Sequence, residues 1–585
     1  VRLNTVLKTV ATVLFFSFFF ISFLQRHVYN YDFWWHLATG KYIVETQSLP
    51  QSDPFAYTAH DAPSARKAMI LKGYWLAQVI FYKIYSLWDL KGIIVLRALL
   101  MSLFLFFVFL TVKKQGLSTV AALIPVAGVF FIAGDFIGER PQLFTFLFFS
   151  VALYLLEDFR VNRSKKIFLL PVLTVLLANM HPGYIVCILL ISLYLAGEVI
   201  LALIKKEAGD GGMKILFVVW VLSLLSVFFN PSGFSVFGEL STLEKHVQGI
   251  VEFMPTFYVY SHKYKPLDYS YIIYLFLSLL SFRYLKKIGL VHMLVLFVFT
   301  LMSFTAIRFM IFYMAVSSLI LARIMLNLKK EKGIAKFVDM LGKREGLLYL
   351  IASFVAIVLV FNAIPSLARY EFRADTSFAA PKGAADFLAG LKIRGNMFNE
   401  YSTGGYLIWR LYPDKKVFID GRSLEPDVYA EYVAAASAKV GPDGSWEDIL
   451  NKYNISYVIT PPLLPRGEVI PIVEKLFDRK DWTLIYNDQL SLIFMQNSPE
   501  NKEIINKFGK DKRDGLATII IQASARATKN KANPYYLITL GKTFIKMGKL
   551  DDAEKAFALA YQRDPNNPMI TEWLKKLQEN KEGRH

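Results

Sequence analysis

The stretch Tyr31-Asp32-Phe33-Trp34-Trp35-His36-Leu37-Ala38-Thr39-Gly40 sets a carboxylate, two indoles and an imidazole just after an apolar run, Val10 to Leu24. If that run spans a bilayer, Asp32 and His36 stand at the membrane–water boundary, where Trp is favoured. Ionisable groups there are costly to keep dry and mark a pathway or a reaction site. Spaced i, i+4, Asp32 and His36 share one face of a helix, and a carboxylate with an imidazole is equipment for moving protons. Arg140 and Arg308 add guanidinium forks that match phosphate, and His181 sits in Asn179-Met180-His181-Pro182-Gly183. Asp53, Asp135, Glu139 and Glu252 are further acidic candidates. Each has a plainer reading beside it. The aromatic stretch can anchor a helix, Glu139–Arg140 can be a structural ion pair, Arg308 can cap a helix, and His181 can solvate its turn.

These residues need a scaffold, and the composition says which kind. The chain has 585 residues, 55% hydrophobic, with 49 Phe and a net charge of +19. That apolar content arrives in repeated long runs, which soluble domains lack, so the fold class is a polytopic α-helical membrane protein. Runs near 7–24, 91–112, 117–134, 142–156, 167–180, 183–203, 214–229, 269–285, 288–304, 306–325 and 347–363 give about eleven spans. The N-terminal run, with no small-residue cleavage site after it, reads as an uncleaved first span. The single cysteine, Cys187, excludes an intrachain disulfide and a Cys-based metal site.

The basic residues give orientation rather than nucleic-acid binding. Lys113-Lys114, Arg160/Arg163/Lys165/Lys166, Lys205-Lys206, Arg283/Lys286/Lys287 and the Lys329–Arg344 segment fill every second loop, with Arg2 and Lys8 at the start. This places the N-terminus and those loops in the cytoplasm. The other loops hold Asp32, His36, Asp53, Asp135, Glu139, Arg140, His181, Glu252 and Arg308, with Glu239, Glu244 and His246 near Glu252. The first of these loops is long, about 25–90, and ends in an aromatic segment, Gly73-Tyr74-Trp75 to Tyr85, expected along the membrane surface. A site on the outer face explains this concentration of acidic residues and histidines.

Four segments follow from the change of character along the chain: 1–363 in the membrane, 364–497 as an extracytoplasmic α/β domain, 498–532 as a linker or helical segment, and 533–585 as a helical hairpin. In the α/β domain, strands are expected at 395–399, 416–422 and 456–460, with a hairpin at 484–494, in a mostly parallel sheet with an antiparallel edge. Ser402 or Thr403 is the expected cap of a helix at 404–410. Asp420 and Arg422, just past a strand, read first as a turn clasp and second as a ligand site. Pro534 and Pro568 lie 34 residues apart, the period of a tetratricopeptide repeat, a unit that binds a protein partner or caps a domain.

Asp-x-Trp-Trp-His-Leu-x-x-Gly, then Asp53-Pro54-Phe55-x-Tyr57-Thr58, Arg140-Pro141-Gln142-Leu143-Phe144, Ala178 to Gly183, Asn230-Pro231-Ser232-Gly233, Ala306-Ile307-Arg308-Phe309 and Gly404-Gly405-Tyr406 to Arg422 together resemble a group of bacterial multi-spanning proteins. That group looks like the GT-C superfamily of membrane glycosyltransferases. The resemblance implies a polyprenyl-phosphate-linked sugar donor drawn from the membrane lipid, with the acid of the first outer loop, Asp32 here, in catalysis. The loop has no adjacent acidic pair and no Asp-x-Asp, so no metal ligand is assigned and a divalent ion is left open. On this reading Asp32 is the base, His36 orients it or binds phosphate, and Arg140 and Arg308, helped by His181, hold the departing phosphate. The acceptor belongs to the envelope. Two rival classes remain: a non-enzymatic envelope-assembly scaffold with a degenerate core, and a lipid or solute transporter, which ionisable residues deep in the spans would favour.

Overall fold

Every one of the eleven apolar runs is helical in the computed structural model, since a backbone in hydrocarbon must satisfy its own N–H and C=O groups. The structure describes residues 2–28, 30–60, 64–205, 211–233, 251–262, 265–331, 344–369, 380–439 and 444–582. They fall into two compact units, Val1–Gln51 with Pro63–Ala374, and Ser52–Ala62 with Asp375–His585.

In the first unit the helices that matter for the site are α1 (Arg2–Leu24), α2 (Asp32–Thr46), α3 (Trp75–Lys114), α4 (Gln142–Asn162), α5 (Tyr184–Lys205), α6 (Leu290–Thr305), α7 (Met310–Leu328) and α8 (Glu345–Arg369). Six helical stretches, Leu3–Leu24, Arg66–Lys114, Gln142–Asn162, Tyr184–Lys205, Ile307–Leu328 and Gly346–Pro365, are long and apolar enough to cross a membrane. The other runs make helices of 10 to 16 residues, at most about 24 Å against a hydrocarbon core of about 30 Å. Local chemistry shortens them. Short 3₁₀ turns occupy Lys165–Phe168 and Leu280–Tyr284, Gly289 sits at φ +88, and Ala306 is extended. Phe131, Phe276, Phe297, Phe354 and Phe361 are exposed on these helices. Such a surface suits lipid rather than water, and the chain is a multi-pass membrane protein.

Packing in this unit brings α1 against α8, α2 against α3, and α3 against α4. Gly40 lets α2 close on α3, because a Cβ there would overlap the Gln78 carbonyl. Helix α3 turns sharply at Asp89 (φ 54, ψ −152). Its first half is the aromatic segment expected on the membrane surface, and here that half packs on α2.

The second unit carries a four-stranded sheet, β1 (Asn396–Asn399), β2 (Ile455–Thr460), β3 (Trp482–Asn487) and β4 (Leu492–Gln496), ordered β1-β2-β4-β3. Only β1–β2 is parallel; β2–β4 and β3–β4 are antiparallel. The expected antiparallel edge is present, but only one pairing is parallel, so the sheet is mixed rather than mostly parallel, because the hairpin sets its second strand against β2. Residues 416–422 form no strand. Val417 makes a lone bridge to Ala56, and the Asn399 amide takes the Phe418 N–H (2.8 Å) while donating to the Ile419 carbonyl (2.7 Å). The helix Gly404–Leu411 is capped by neither Ser402 nor Thr403. Glu400 accepts from the Thr403 N–H (3.1 Å) across a 3₁₀ turn.

The helices Lys512–Lys529, Tyr535–Lys546, Leu550–Arg563 and Pro568–Glu582 close the chain around Leu516, Ile519, Leu537, Phe557 and Ile570. Gly541 lies under the Phe557 ring, where a Cβ would clash.

Residues Ser52–Ala62 count with this second unit although they come from the first long loop. Asp53 accepts from the N–H groups of Phe55 and Ala56 (both 3.2 Å) and receives both Nη groups of Arg422 (2.6 and 3.0 Å). Asp420 receives Nε and Nη2 of the same guanidinium (both 2.7 Å). Burial alone would lower the Arg422 pKa; Asp420 and Asp53 raise it above its ordinary value. Arg422 is 1% exposed in its side chain. Replacing it with Ala buries two carboxylates without their counter-charge, and loss of one partner of a buried pair costs about 3–5 kcal/mol. Limited proteolysis of the full chain is expected to cut the second unit first in Arg422→Ala, with Arg422→Lys partly protected. Equal protease resistance of wild type and Arg422→Ala would contradict the clasp.

Candidate active site

Asp32 opens α2, and its own N–H is held by the Asn30 side chain (2.9 Å). An acid in the first turn is favoured by the helix dipole. The Trp35 indole N–H reaches one carboxylate oxygen (3.2 Å) and Arg140 Nη1 the other (3.4 Å). Arg140, in the loop before α4, spends most of its fork on Glu252, with Nη1 at 3.2 Å and Nη2 at 2.7 Å. Glu252 lies in the turn Val251–Phe253, and the Ile307 N–H ties that turn to the next through the Met254 carbonyl (3.3 Å). Arg308 follows at once, its guanidinium 4.3 Å from the centre of the Phe253 ring. Among the described residues Arg308 makes no ion pair and no hydrogen bond. One guanidinium thus serves two carboxylates, and a second stands beside them on an aromatic face. Four positions scattered from 32 to 308 meet in one place.

A layer of rings continues from this cluster. His36 is buried and takes Gln78 Nε2 at Nδ1 (3.2 Å). Tyr74 stands between His36 (5.3 Å) and His181 (5.8 Å), with Trp35 at 6.1 Å. His181 Nδ1 faces the Thr145 hydroxyl (2.8 Å) and the Gly183 N–H (3.0 Å). An N–H donor on Nδ1 makes that nitrogen the acceptor and puts the proton on Nε2. Burial, then Arg308 and Arg140, push the His181 pKa well below its ordinary value. At neutral pH this imidazole is a neutral N–H donor and not a cation. Trp75 Nε1 donates to Asn179 (2.7 Å), fixing the His181 loop against α3.

Neither a protein-family model nor a curated protein sequence matches the chain. Solved structures do. The oligosaccharyltransferase of Archaeoglobus fulgidus in the apo form is similar with TM-score 0.53 at 9% identity, over 93% of this chain and 86% of that one. The chain shares the fold of that enzyme. The same archaeal enzyme tethered to an acceptor peptide containing the NVT sequon gives TM-score 0.44 at 11% identity, over 79% of this chain and 68% of that one. ArnT from Cupriavidus metallidurans bound to undecaprenyl phosphate gives 0.41 at 10%, over 85% and 98%.

The remaining acidic candidates from the sequence lie elsewhere. Asp135 pairs with Lys265 (3.4 Å) at an exposed position. Glu139 is buried and pairs with Arg97, so the Glu139–Arg140 ion pair considered from sequence does not form. Asp53 is in the second unit, on Arg422. His36 is held by Gln78, while the carboxylate of Asp32 is held by Trp35 and Arg140. Glu239, Glu244 and His246 lie outside the described residues. Sequence reading missed Tyr74, Gln78 and Arg97. The first two sit in a stretch that reads as merely amphipathic; Arg97 reads as one basic residue inside an apolar run.

Burial pushes the Glu252 carboxyl up, but Arg140, then Arg308 and Lys265, outweigh it and hold the pKa below its ordinary 4.5. A depressed carboxylate contributes stability that is present above the unfolded value and lost as pH falls through the folded one. In detergent, Glu252→Gln is expected to lower Tm by about 2–4 °C at pH 7, and the gap is expected to close as the pH drops below 4.5. A gap that stays constant into strong acid would contradict this ion pair.

Proposed function

We propose that the chain is a membrane glycosyltransferase that moves a sugar from a polyprenyl-phosphate-linked donor to an envelope acceptor on the extracytoplasmic face. One observation carries the reading: Arg140 joins Asp32 to Glu252, and Arg308, which makes no ion pair or hydrogen bond among the described residues, lies on the Phe253 ring of the Glu252 turn, in a fold shared with a solved oligosaccharyltransferase. In the reaction the acceptor hydroxyl oxygen attacks the anomeric carbon, the bond from that carbon to the phosphate oxygen breaks, and the hydroxyl proton leaves. Asp32 takes that proton as general base. Trp35 and Arg140 orient it, the Arg140 contact at 3.4 Å being longer than an ordinary charge-assisted bond. Negative charge gathers on the departing polyprenyl phosphate, where Arg308 stabilises it. The neutral His181 adds an N–H donor, and Arg140 is held as a positioner by Glu252.

The alternation of basic loops supports a cytoplasmic N-terminus and an extracytoplasmic site. The second unit, with its C-terminal helices of tetratricopeptide-like spacing, presents the acceptor or recruits a protein partner. No nucleic acid is involved, and the net positive charge belongs to the cytoplasmic loops.

Asp32→Asn removes the base with almost no change of shape. In a deletion strain complemented with this variant, mass spectrometry of envelope glycans is expected to show transfer down by about 10²–10⁴-fold. Arg308→Ala is expected to cost about 10²–10³-fold. A folded Asp32→Asn protein that supports normal glycan composition would remove the enzyme and leave a scaffold.

A further inference from the structure

Arg97 is a fully buried charge inside an apolar helix, and the proposed reaction gives it no task. Its side chain is 1% exposed. Nη1 donates to the His27 carbonyl (3.1 Å) and to Glu139; Nη2 donates to the carbonyls of Phe23 (2.9 Å) and Arg26. The last carbonyls of a helix have no partner within it, so Arg97 caps the end of α1 with a cation where the helix dipole is negative. Glu139 supplies the counter-charge. Gly138 lies against the Asn30 amide, where a Cβ would sit 2.7 Å from Nδ2. The Asn30 side chain then holds the Asp32 N–H (2.9 Å). Glu139 is followed directly by Arg140. Arg97 therefore ties the backbone before Asn30 to Glu139, and the close approach of Gly138 to Asn30 joins the two segments that lead to Asp32 and to Arg140.

We propose that Arg97 and Glu139 are a buried positioning pair, which fixes residues 23–32 against residues 138–140 and so sets the separation of Asp32 from Arg140. The inference rests on the reading of Asp32 as the base. The pair touches no reacting atom and acts only through Asn30 and the backbone. An ion pair alone does not account for it, because three of the guanidinium's contacts are to carbonyls that a carboxylate at position 97 cannot serve.

The test uses the full chain in nanodiscs and a deletion strain complemented with each variant. Glu139→Gln keeps the shape and removes the charge. Asn30→Ala cuts the path without disturbing a buried charge, so it answers even if Glu139→Gln fails to fold. Backbone hydrogen exchange of residues 23–32 is expected to rise in both, with the rest of the first unit unchanged. Affinity for undecraprenyl phosphate, the probe for the Arg308 side of the site, is expected to stay within about twofold while glycan product falls about 10–100-fold, the scale of a misplacement near 1 Å. Arg97→Lys is expected to retain more product than Arg97→Met, since an ammonium keeps several donors. Wild-type product from Asn30→Ala and Glu139→Gln, in a strain where Asp32→Asn makes none, would overturn the positioning role and leave the base intact. Wild-type product from Asp32→Asn would instead overturn the reading of the site, and that variant alone reveals it.

Discussion

One guanidinium shared by two carboxylates holds the site together. Arg140 binds Glu252 with both Nη groups and Asp32 with one, more loosely. Arg140 thereby fixes the Asp32 carboxylate to the turn that carries Glu252. Arg308 lies on the Phe253 ring of the same turn and makes no ion pair among the described residues. The two arginines that look equivalent in the sequence stand in different surroundings.

The first unit also keeps a polar knot at the other ends of the same helices. Glu157, near the end of α4 and fully buried, receives the Tyr194 hydroxyl (2.8 Å) and Gln115 Nε2 (3.0 Å) and lies 2.8 Å from His292 Nε2. Arg323 on α7 donates to Gln115 (2.9 Å) and to the Ile288 carbonyl (2.9 Å). Sequence reading finds few ionisable residues deep in the spans, because the apolar run stops at 156; the helix continues to Asn162 and takes Glu157 inside. A carboxylate on α4 engaged by groups on α5 and α6, by Gln115 just past α3 and by Arg323 of α7 ties helix ends together. Such a buried polar tie fixes which helices are neighbours more than it adds stability. It leaves the ends that carry Asp32, Arg140 and Arg308 to the rings and turns described above.

What the sequence made legible follows from which forces act locally. Helices in apolar runs are dictated by the need to satisfy the backbone in lipid, and each run is one. The meeting of Asp32, Arg140, Glu252 and Arg308 was foreshadowed by loop charge, because alternating basic loops sort the others to one side. Contacts set by tertiary packing were not legible. Arg97 and Glu139 are 42 residues apart, and nothing near either one announces the other. Asp53 reads as a neighbour of Asp32 in one loop, yet its turn belongs with Arg422, 369 residues away. The parallel share of the sheet was overestimated for the same reason: hairpin chemistry gives β3 and β4, but that β4 meets β2 antiparallel is decided by tertiary packing.

The most direct test of the account is a structure of the full chain in nanodiscs with undecaprenyl phosphate bound. The account predicts the phosphate within hydrogen-bonding distance of the Arg308 guanidinium, next to the Asp32 carboxylate, with Arg140 still on Glu252. A phosphate held elsewhere in the first unit, with Arg308 still lying on Phe253 and Asp32 facing nothing, would contradict it.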